Sequence, residues 1–241
     1  MKHLGILAHS AEGSALCYLA ACHEGSRQLG PHLHPDITTS VIAMGHSMPA
    51  WERHALQPIR ATLAVTVQRL LAAGCDFFLC PDNTAHLALQ AQGPALALPG
   101  LHIADVVAKA ARDAGHRTLG VLGTRWTMEG PLYREALERQ GLVCRSPAHE
   151  DRAFVHRLIF EELCNGVLRD ASRAECQRVI ARLAESDCDA VVLGCTEIPL
   201  LIGPGDSPLP TLDSTRLLAA RGVAVALGKA PFPSWRGGPV H

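Results

Sequence analysis

Two short segments of the chain carry its most reactive side chains. The first spans residues 77–86 and reads FFLCPDNTAH, and the second spans residues 191–201 and reads VVLGCTEIPLL. In each segment an apolar run that predicts a buried strand ends at an acid-base side chain beside a hydroxyl or amide, and a helix start follows. Two similar strand ends about one domain apart predict two similar half-molecules. Such halves suit a reaction that removes a proton from one face of a carbon atom and returns it to the other.

Segments with strand and helix patterns alternate along the whole chain. This alternation predicts an α/β fold with mostly parallel sheets flanked by helices. In such sheets ligands bind beyond the carboxyl ends of the strands. The candidate site residues all follow predicted strands, and they are His9, Ser10, Asp82, Asn83, Thr84, Thr124, Cys195, Thr196 and Glu197.

The chain divides into two predicted lobes. Residues 1–100 together with 209–228 form the first, and residues 101–208 form the second. Long helices are predicted over 49–73 and 154–168, and a short apolar segment over 95–98. The last segment, 229–241, is rich in proline and glycine and is predicted to be a flexible tail.

Composition excludes several classes of protein. Among 241 residues, 22 Lys and Arg balance 23 Asp and Glu, so no basic surface for nucleic acid or an anionic membrane is expected. The longest apolar runs fall short of the ~20 residues that span a bilayer. A strand pattern begins directly after Met1-Lys2-His3, so no signal peptide and a cytoplasmic location are expected.

The cysteine and histidine patterns do not predict a metal site or a disulfide framework. The nine cysteines are odd in number and scattered without a C-x-x-C pair, and the thirteen histidines form no H-E-x-x-H. His32 and His34 alternate beside prolines, a pattern more typical of a solvated loop than of a metal ligand pair. Most of the cysteines are expected to be small buried hydrophobic residues.

Several blocks of the chain resemble the aspartate/glutamate racemase family of cofactor-independent racemases. The blocks are NTAH at 83–86, LHIAD at 101–105, LGTRWTM at 122–128, IFEEL at 159–163 and LGCTEI at 193–198, and the resemblance covers nearly the whole chain. It implies two pseudo-symmetric α/β lobes, an active site in the cleft between them, an amino acid as the substrate, and usually a homodimer. It also implies that neither pyridoxal phosphate nor a metal is used.

The first motif departs from the family pattern. Most family racemases read Cys-Asn-Thr there, whereas alignment on Asn83 and Thr84 places Asp82 at the first catalytic position. Residues 80 and 82 of an extended strand point to the same side, so Cys80 is expected beneath Asp82. The resemblance therefore favours Asp82 and Cys195 as the catalytic pair, and Cys80 with Cys195 stays open as the alternative.

The predicted chemistry is proton transfer at the α-carbon of an amino acid. Helix N-termini after both motifs favour the thiolate form of a cysteine and bind a carboxylate, helped by Asn83, Thr84, Thr124 and Thr196. Glu197 is predicted to bind the substrate ammonium group, or to act only as a cap of its helix. Because an ordinary aspartate titrates near ~3.9, a base of this type donates protons poorly at neutral pH, and unequal rates in the two directions are expected.

Other functions remain open from the sequence. Hydantoin racemases, arylmalonate decarboxylases and maleate isomerases resemble the same fold and reuse one or both catalytic positions. A binding protein without turnover is a further alternative, because the first cysteine is replaced. His9 in the first loop and Cys164, where relatives often carry lysine, leave the substrate side chain undetermined.

Overall fold

The computed structural model describes residues 1–240 as two compact units. One unit consists of Met1–Ile103 together with the chain from Thr215 onward, and the other consists of Ala104–Ser214. These boundaries lie a few residues beyond the 100 and 208 expected from the sequence.

The first unit contains a four-stranded parallel sheet with the strand order β2-β1-β3-β4. Its strands are β1 (Leu4–Ala8), β2 (Ile37–Val41), β3 (Phe77–Leu79) and β4 (Gly100–Leu101). Its helices are α1 (Ala11–Leu29), α2 (Met48–Glu52), α3 (Leu56–Ala72), α4 (Ala85–Leu89) and the start of α5 (Ile103–Asp113). The buried residues of β1 and β3 pack under α3, which presents a stripe at helical spacing, Ile59, Leu63, Val67 and Leu70.

The second unit repeats this arrangement with the strand order β6-β5-β7-β8. Its strands are β5 (Thr118–Gly123), β6 (Val143–Arg145), β7 (Ala190–Gly194) and β8 (Thr211–Asp213). Its helices are α6 (Arg125–Glu129), α7 (Pro131–Glu138), α8 (His149–Arg157), α9 (Asp170–Glu185) and α10 (Ile198–Leu201), and α11 (Ser214–Ala226) then returns the chain to the first unit. The predicted α/β class with two similar parallel sheets is confirmed.

Two local predictions are wrong. The predicted helix over 49–73 is broken between α2 and α3, where His54 adopts a left-handed φ of 54°. The predicted helix over 154–168 changes to a π turn at Leu158–Glu162 and a 3₁₀ turn at Leu163–Asn165, and it ends at left-handed Gly166. The apolar segment at 95–98 precedes strand β4, whose pairing with β3 begins at Gly100.

The segment predicted to be a flexible tail makes contacts with the rest of the first unit. Three backbone hydrogen bonds of 2.8 Å, from Leu96 to Arg236, from Gly100 to Trp235 and from Gly238 to Leu89, fix the chain beside β4. Aromatic contacts add to these bonds, since Phe232 meets Phe77 with ring centroids 5.7 Å apart. Proline and glycine suppress regular structure in this segment, but its aromatic side chains supply packing that the composition does not reveal. His241 lies outside the described residues.

Across residues 1–240, no helix is both long and apolar enough to cross a membrane.

Candidate active site

The first group of candidate residues lies at the carboxyl end of β3. Asp82 follows the strand and begins the turn into α4, where its Oδ1 accepts a hydrogen bond from the Ala85 N–H at 3.1 Å. Asn83 and Thr84 are buried in the same turn. Asp82 therefore does cap this turn, as an aspartate before a helix often does.

Cys80 lies in the interior beneath this turn. Its side chain is fully buried, and its thiol donates to the backbone carbonyl of Asp82 over 3.7 Å. Burial raises the pKa of the Cys80 thiol well above its ordinary value, and the negative charge of Asp82 raises it further. The hydrogen-bond partner of the Cys80 thiol is a backbone carbonyl, which cannot take its proton, so Cys80 is the weaker candidate for a base.

His9 and Ser10 follow β1, the strand next to β3. The register pairs Ile6 with Leu79, and three residues further along each strand lie His9 and Asp82. The indole N–H of Trp51 donates to His9 Nε2 at 3.4 Å, so a neutral His9 carries its proton on Nδ1. The structure therefore places His9 and Ser10 at the same sheet edge as Asp82.

The second group of candidate residues lies at the carboxyl ends of β5 and β7. Thr124 follows β5 and caps α6, since its hydroxyl accepts from the Thr127 N–H at 3.3 Å. Cys195 follows β7, whose last residue, Gly194, pairs with Gly123 of β5. The parallel strands thus bring Thr124 and the Cys195 segment to one edge of the second sheet.

A carboxylate contacts the Cys195 thiol directly. The thiol donates to Glu197 Oε2 at 3.0 Å, and the Thr196 hydroxyl donates to the same oxygen at 2.6 Å. Cys195 is 7% exposed and Glu197 is 2% exposed, and Glu197 Oε1 is buried with no hydrogen-bond partner among the described residues. Such an unsatisfied buried carboxylate oxygen is unusual and costs stability unless a ligand or proton completes it.

The electrostatics of this group oppose a free thiolate. Burial raises the pKa of the Cys195 thiol well above its ordinary value, and the adjacent negative charge of Glu197 raises it further. A thiol in this setting loses its proton most readily to the carboxylate it already touches, because the pair then carries one negative charge rather than two. Cys195 and Glu197 therefore form a thiol–carboxylate pair able to move one proton.

Sequence reasoning missed this pairing. It predicted Glu197 as the ligand of the substrate ammonium group, whereas one of its oxygens is bound to Cys195 and Thr196. A carboxylate two residues after a strand-end cysteine is the sequence signal that pointed to the contact. Two further residues lie beside the Asp82 turn. His86 contacts the Asp82 carbonyl, and Trp235, from the segment predicted to be a flexible tail, stacks on His86.

Comparisons with known proteins identify the family. The family model described as Asp/Glu/Hydantoin racemase matches residues 11–222. A proposed Asp/Glu racemase from Yersinia pestis has a crystal structure similar to this chain, with a TM-score of 0.80, 30% identity, and coverage of 94% of this chain and 100% of that one. An aspartate racemase homologue from Pyrococcus horikoshii OT3 is similar with a TM-score of 0.73 and 26% identity, over 94% of this chain and 100% of that one.

A curated relative points the same way. The broad specificity amino-acid racemase RacX of Bacillus subtilis is 26% identical over 159 residues, which cover 66% of this chain and 68% of RacX. The resemblance found in the sequence blocks is thus confirmed. The chain belongs to the Asp/Glu/hydantoin racemase family, and it is an enzyme of the isomerase class, an amino-acid racemase at the level of that family.

Proposed function

We propose that the chain is a cofactor-independent amino-acid racemase in which Asp82 and Cys195 are the two acid-base groups. The observation that carries the proposal is the 3.0 Å contact between the Cys195 thiol and Glu197, because it gives a buried cysteine a proton acceptor. Asp82 occupies the corresponding strand end of the other, similarly ordered sheet.

In the first direction Cys195 acts as the base. Its thiol proton moves to Glu197, and the thiolate removes the α-proton of the amino acid to become a thiol again. A protonated Asp82 then donates its proton to the opposite face of the α-carbon and becomes a carboxylate, while Glu197 keeps the proton it took from the thiol. After product release Glu197 loses this proton to solvent and Asp82 takes one up, which restores the starting state. In the reverse direction the Asp82 carboxylate removes the α-proton and the Cys195 thiol donates, so each turnover exchanges the roles of the two groups.

Backbone N–H groups at the starts of the helices after both motifs favour the substrate carboxylate. Asn83, Thr84, Thr124 and Thr196 are buried polar side chains near those N-termini, and we assign them to carboxylate binding together with His9 and Ser10. The free Oε1 of Glu197 is suited to the substrate ammonium group. These assignments divide the two oxygens of Glu197 between the thiol and the substrate.

Aspartate or glutamate is the proposed substrate class. The family description names these amino acids, and one similar structure is that of an aspartate racemase homologue. Cys164, where relatives often carry lysine, packs against the buried cluster that contains Cys195. We also propose a homodimer, which sedimentation equilibrium would test.

The two directions of the reaction must share one kcat/KM, because the two enantiomers have equal free energies in water. The chemical difference between a thiol and a carboxylic acid therefore shows as unequal kcat values balanced by unequal KM values. Equal kcat values for the L and D substrates would contradict the assignment of unlike groups.

Proton NMR in D₂O, with circular dichroism to follow inversion, tests the proposal on a panel of L- and D-amino acids. Cys195→Ser should abolish inversion. Asp82→Asn should also abolish inversion but leave α-proton exchange on the one enantiomer whose α-proton faces Cys195. Cys80→Ser, the matched control in the same segment, should retain at least half of the wild-type inversion rate.

Two results would contradict the proposal. One is normal inversion by Asp82→Asn, and the other is loss of inversion in Cys80→Ser with the fold intact. Absence of exchange with every amino acid would direct the search to hydantoins and substituted malonates, the substrates of the alternative functions.

A further inference from the structure

The backbone of Asp82 is held by a fully buried imidazole. His86 Nδ1 lies 3.0 Å from the carbonyl oxygen of Asp82, and His86 Nε2 lies 3.2 Å from the backbone nitrogen of Ile103. The Ile103 N–H can only donate, so Nε2 accepts and the proton of a neutral ring sits on Nδ1. His86 thereby joins the Asp82 turn to the first residue of α5, where a helix has backbone N–H groups without intrahelical partners.

The position of this ring is fixed by the C-terminal strap, which we define as residues 232–238. Trp235 stacks on the imidazole of His86, with centroids 5.9 Å apart and an interplanar angle of 9°. His102 packs edge-on against both rings, at 5.1 Å from His86 and 5.0 Å from Trp235. The imidazole is therefore packed on a face by the strap and on an edge by the residue before α5.

The strap is itself anchored independently of His86. The Gly100 N–H at the outer strand β4 donates to the Trp235 carbonyl at 2.8 Å, and the Trp235 indole N–H donates to the Gly238 carbonyl at 3.0 Å. Arg236 adds side-chain bonds to the carbonyls of Leu96 and Ala97 at 3.1 and 2.8 Å. The backbone of Trp235 is thus fixed by its neighbours, and its indole is held by the bond to the Gly238 carbonyl.

We propose that His86 and Trp235 are positioning residues for Asp82, and that the C-terminal strap sets the geometry of the first acid-base group. The inference rests on the proposed role of Asp82. Trp235 stabilises the ring, the ring holds the Asp82 carbonyl, and this carbonyl fixes the turn from which the carboxylate extends. Loss of the stacking contact should displace Asp82 while leaving Cys195, in the other unit, unchanged.

A stereochemical readout separates positioning from simple loss of stability. For the enantiomer that Cys195 deprotonates, a displaced Asp82 delivers its proton slowly, and the thiol returns a solvent-derived proton to the original face. The exchange-to-inversion ratio, which is the rate of α-proton exchange without inversion divided by the rate of inversion, should therefore rise. Partial unfolding lowers both rates equally and leaves this ratio unchanged.

The test compares Trp235→Ala with Phe232→Ala in D₂O, well below the unfolding temperature of each variant. Phe232 is an aromatic residue of the same strap, but its ring meets Phe77 rather than His86. For Trp235→Ala we expect kcat for inversion to fall about tenfold and KM to change by less than about threefold, because sub-ångström displacement of a reacting group slows chemistry more than binding. The exchange-to-inversion ratio of this variant should rise. Phe232→Ala should keep the wild-type ratio.

A wild-type ratio in Trp235→Ala, or an equal rise in Phe232→Ala, would overturn the inference. If Trp235→Ala does not fold, Trp235→Leu keeps apolar volume without a flat ring and is judged by the same ratio. The variant Asp82→Asn distinguishes failure of the proposed function from failure of this inference. Normal inversion by Asp82→Asn refutes the role of Asp82 itself. Loss of inversion in Asp82→Asn, together with a wild-type exchange-to-inversion ratio in Trp235→Ala, refutes only the positioning role.

Discussion

Substitution of Gly194 by alanine should displace Cys195, the next residue along the chain. Gly194 of β7 pairs with Gly123 of β5, and the two strands approach closely there. A Cβ added at Gly194 would lie 2.9 Å from the carbonyl oxygen of Leu122, and one added at Gly123 would lie 2.8 Å from that of Gly194. These obstacles are backbone atoms of a buried strand, so they cannot rotate away as a side chain can.

The size of the effect follows from these distances. Ordinary contact begins at 3.4 Å, so the added methyl group of Gly194→Ala must move about 0.5 Å relative to β5. Overpacking of this kind typically destabilises a fold by about 1–3 kcal/mol. Because a misplacement of about 1 Å can slow catalysis by about a hundredfold, half of that displacement at Cys195 should lower kcat by about tenfold.

Gly205→Ala is the matched control, since it lies in the same unit and a Cβ there meets nothing within 4 Å. Urea unfolding of both variants gives the change in free energy, and initial rates of inversion give kcat. Gly205→Ala should be within about 0.5 kcal/mol of wild type, as surface changes usually are. The reasoning would be refuted if Gly194→Ala were as stable and as active as Gly205→Ala.

Two further outcomes are expected. Glu197→Gln should lower kcat for inversion by about a hundredfold, since an amide cannot take the Cys195 proton, whereas Glu185→Gln at an exposed position should leave kcat unchanged. Equal inversion rates of the two variants would remove Glu197 from the mechanism. Burial raises the pKa of Cys144 to about 11 and of Cys176 to about 12, so the fold favours the neutral thiols. Their contribution to stability is complete below the ordinary thiol pKa of 9.0 and decreases above it, by about 1 kcal/mol for each between pH 9 and about 10. Urea unfolding against pH measures this slope, and Cys176→Ala should have a shallower slope than wild type.

The fold was predictable from the sequence because the buried strands are continuous apolar runs. Leu4–Ala8 and Ala190–Gly194 are buried along their whole lengths, as expected of strands covered on both faces. Topology then brings the residues after such strands to the same edge of the sheet. This reasoning alone grouped His9 with Asp82 and Thr124 with Cys195.

Contacts set by turn geometry were not predictable in this way. The direction of the Glu197 side chain depends on the turn between β7 and α10, and no hydrophobic period reports that turn. The contacts of the C-terminal strap were not predicted for a different reason. Its prolines and glycines indicate irregular backbone, but irregular backbone is still ordered when its own aromatic side chains and N–H groups find partners, as Trp235 and Gly238 do.

The two sheets share a strand order, yet each surrounds its proposed acid-base group differently. At the end of β3 the side chain is the carboxylate of Asp82, and the imidazole of His86 contacts its backbone carbonyl. At the end of β7 the thiol is present, and a carboxylate contacts it at 3.0 Å. In the proposed mechanism each strand end therefore supplies one carboxylate: Asp82 acts on the substrate directly, and Glu197 acts through the Cys195 thiol.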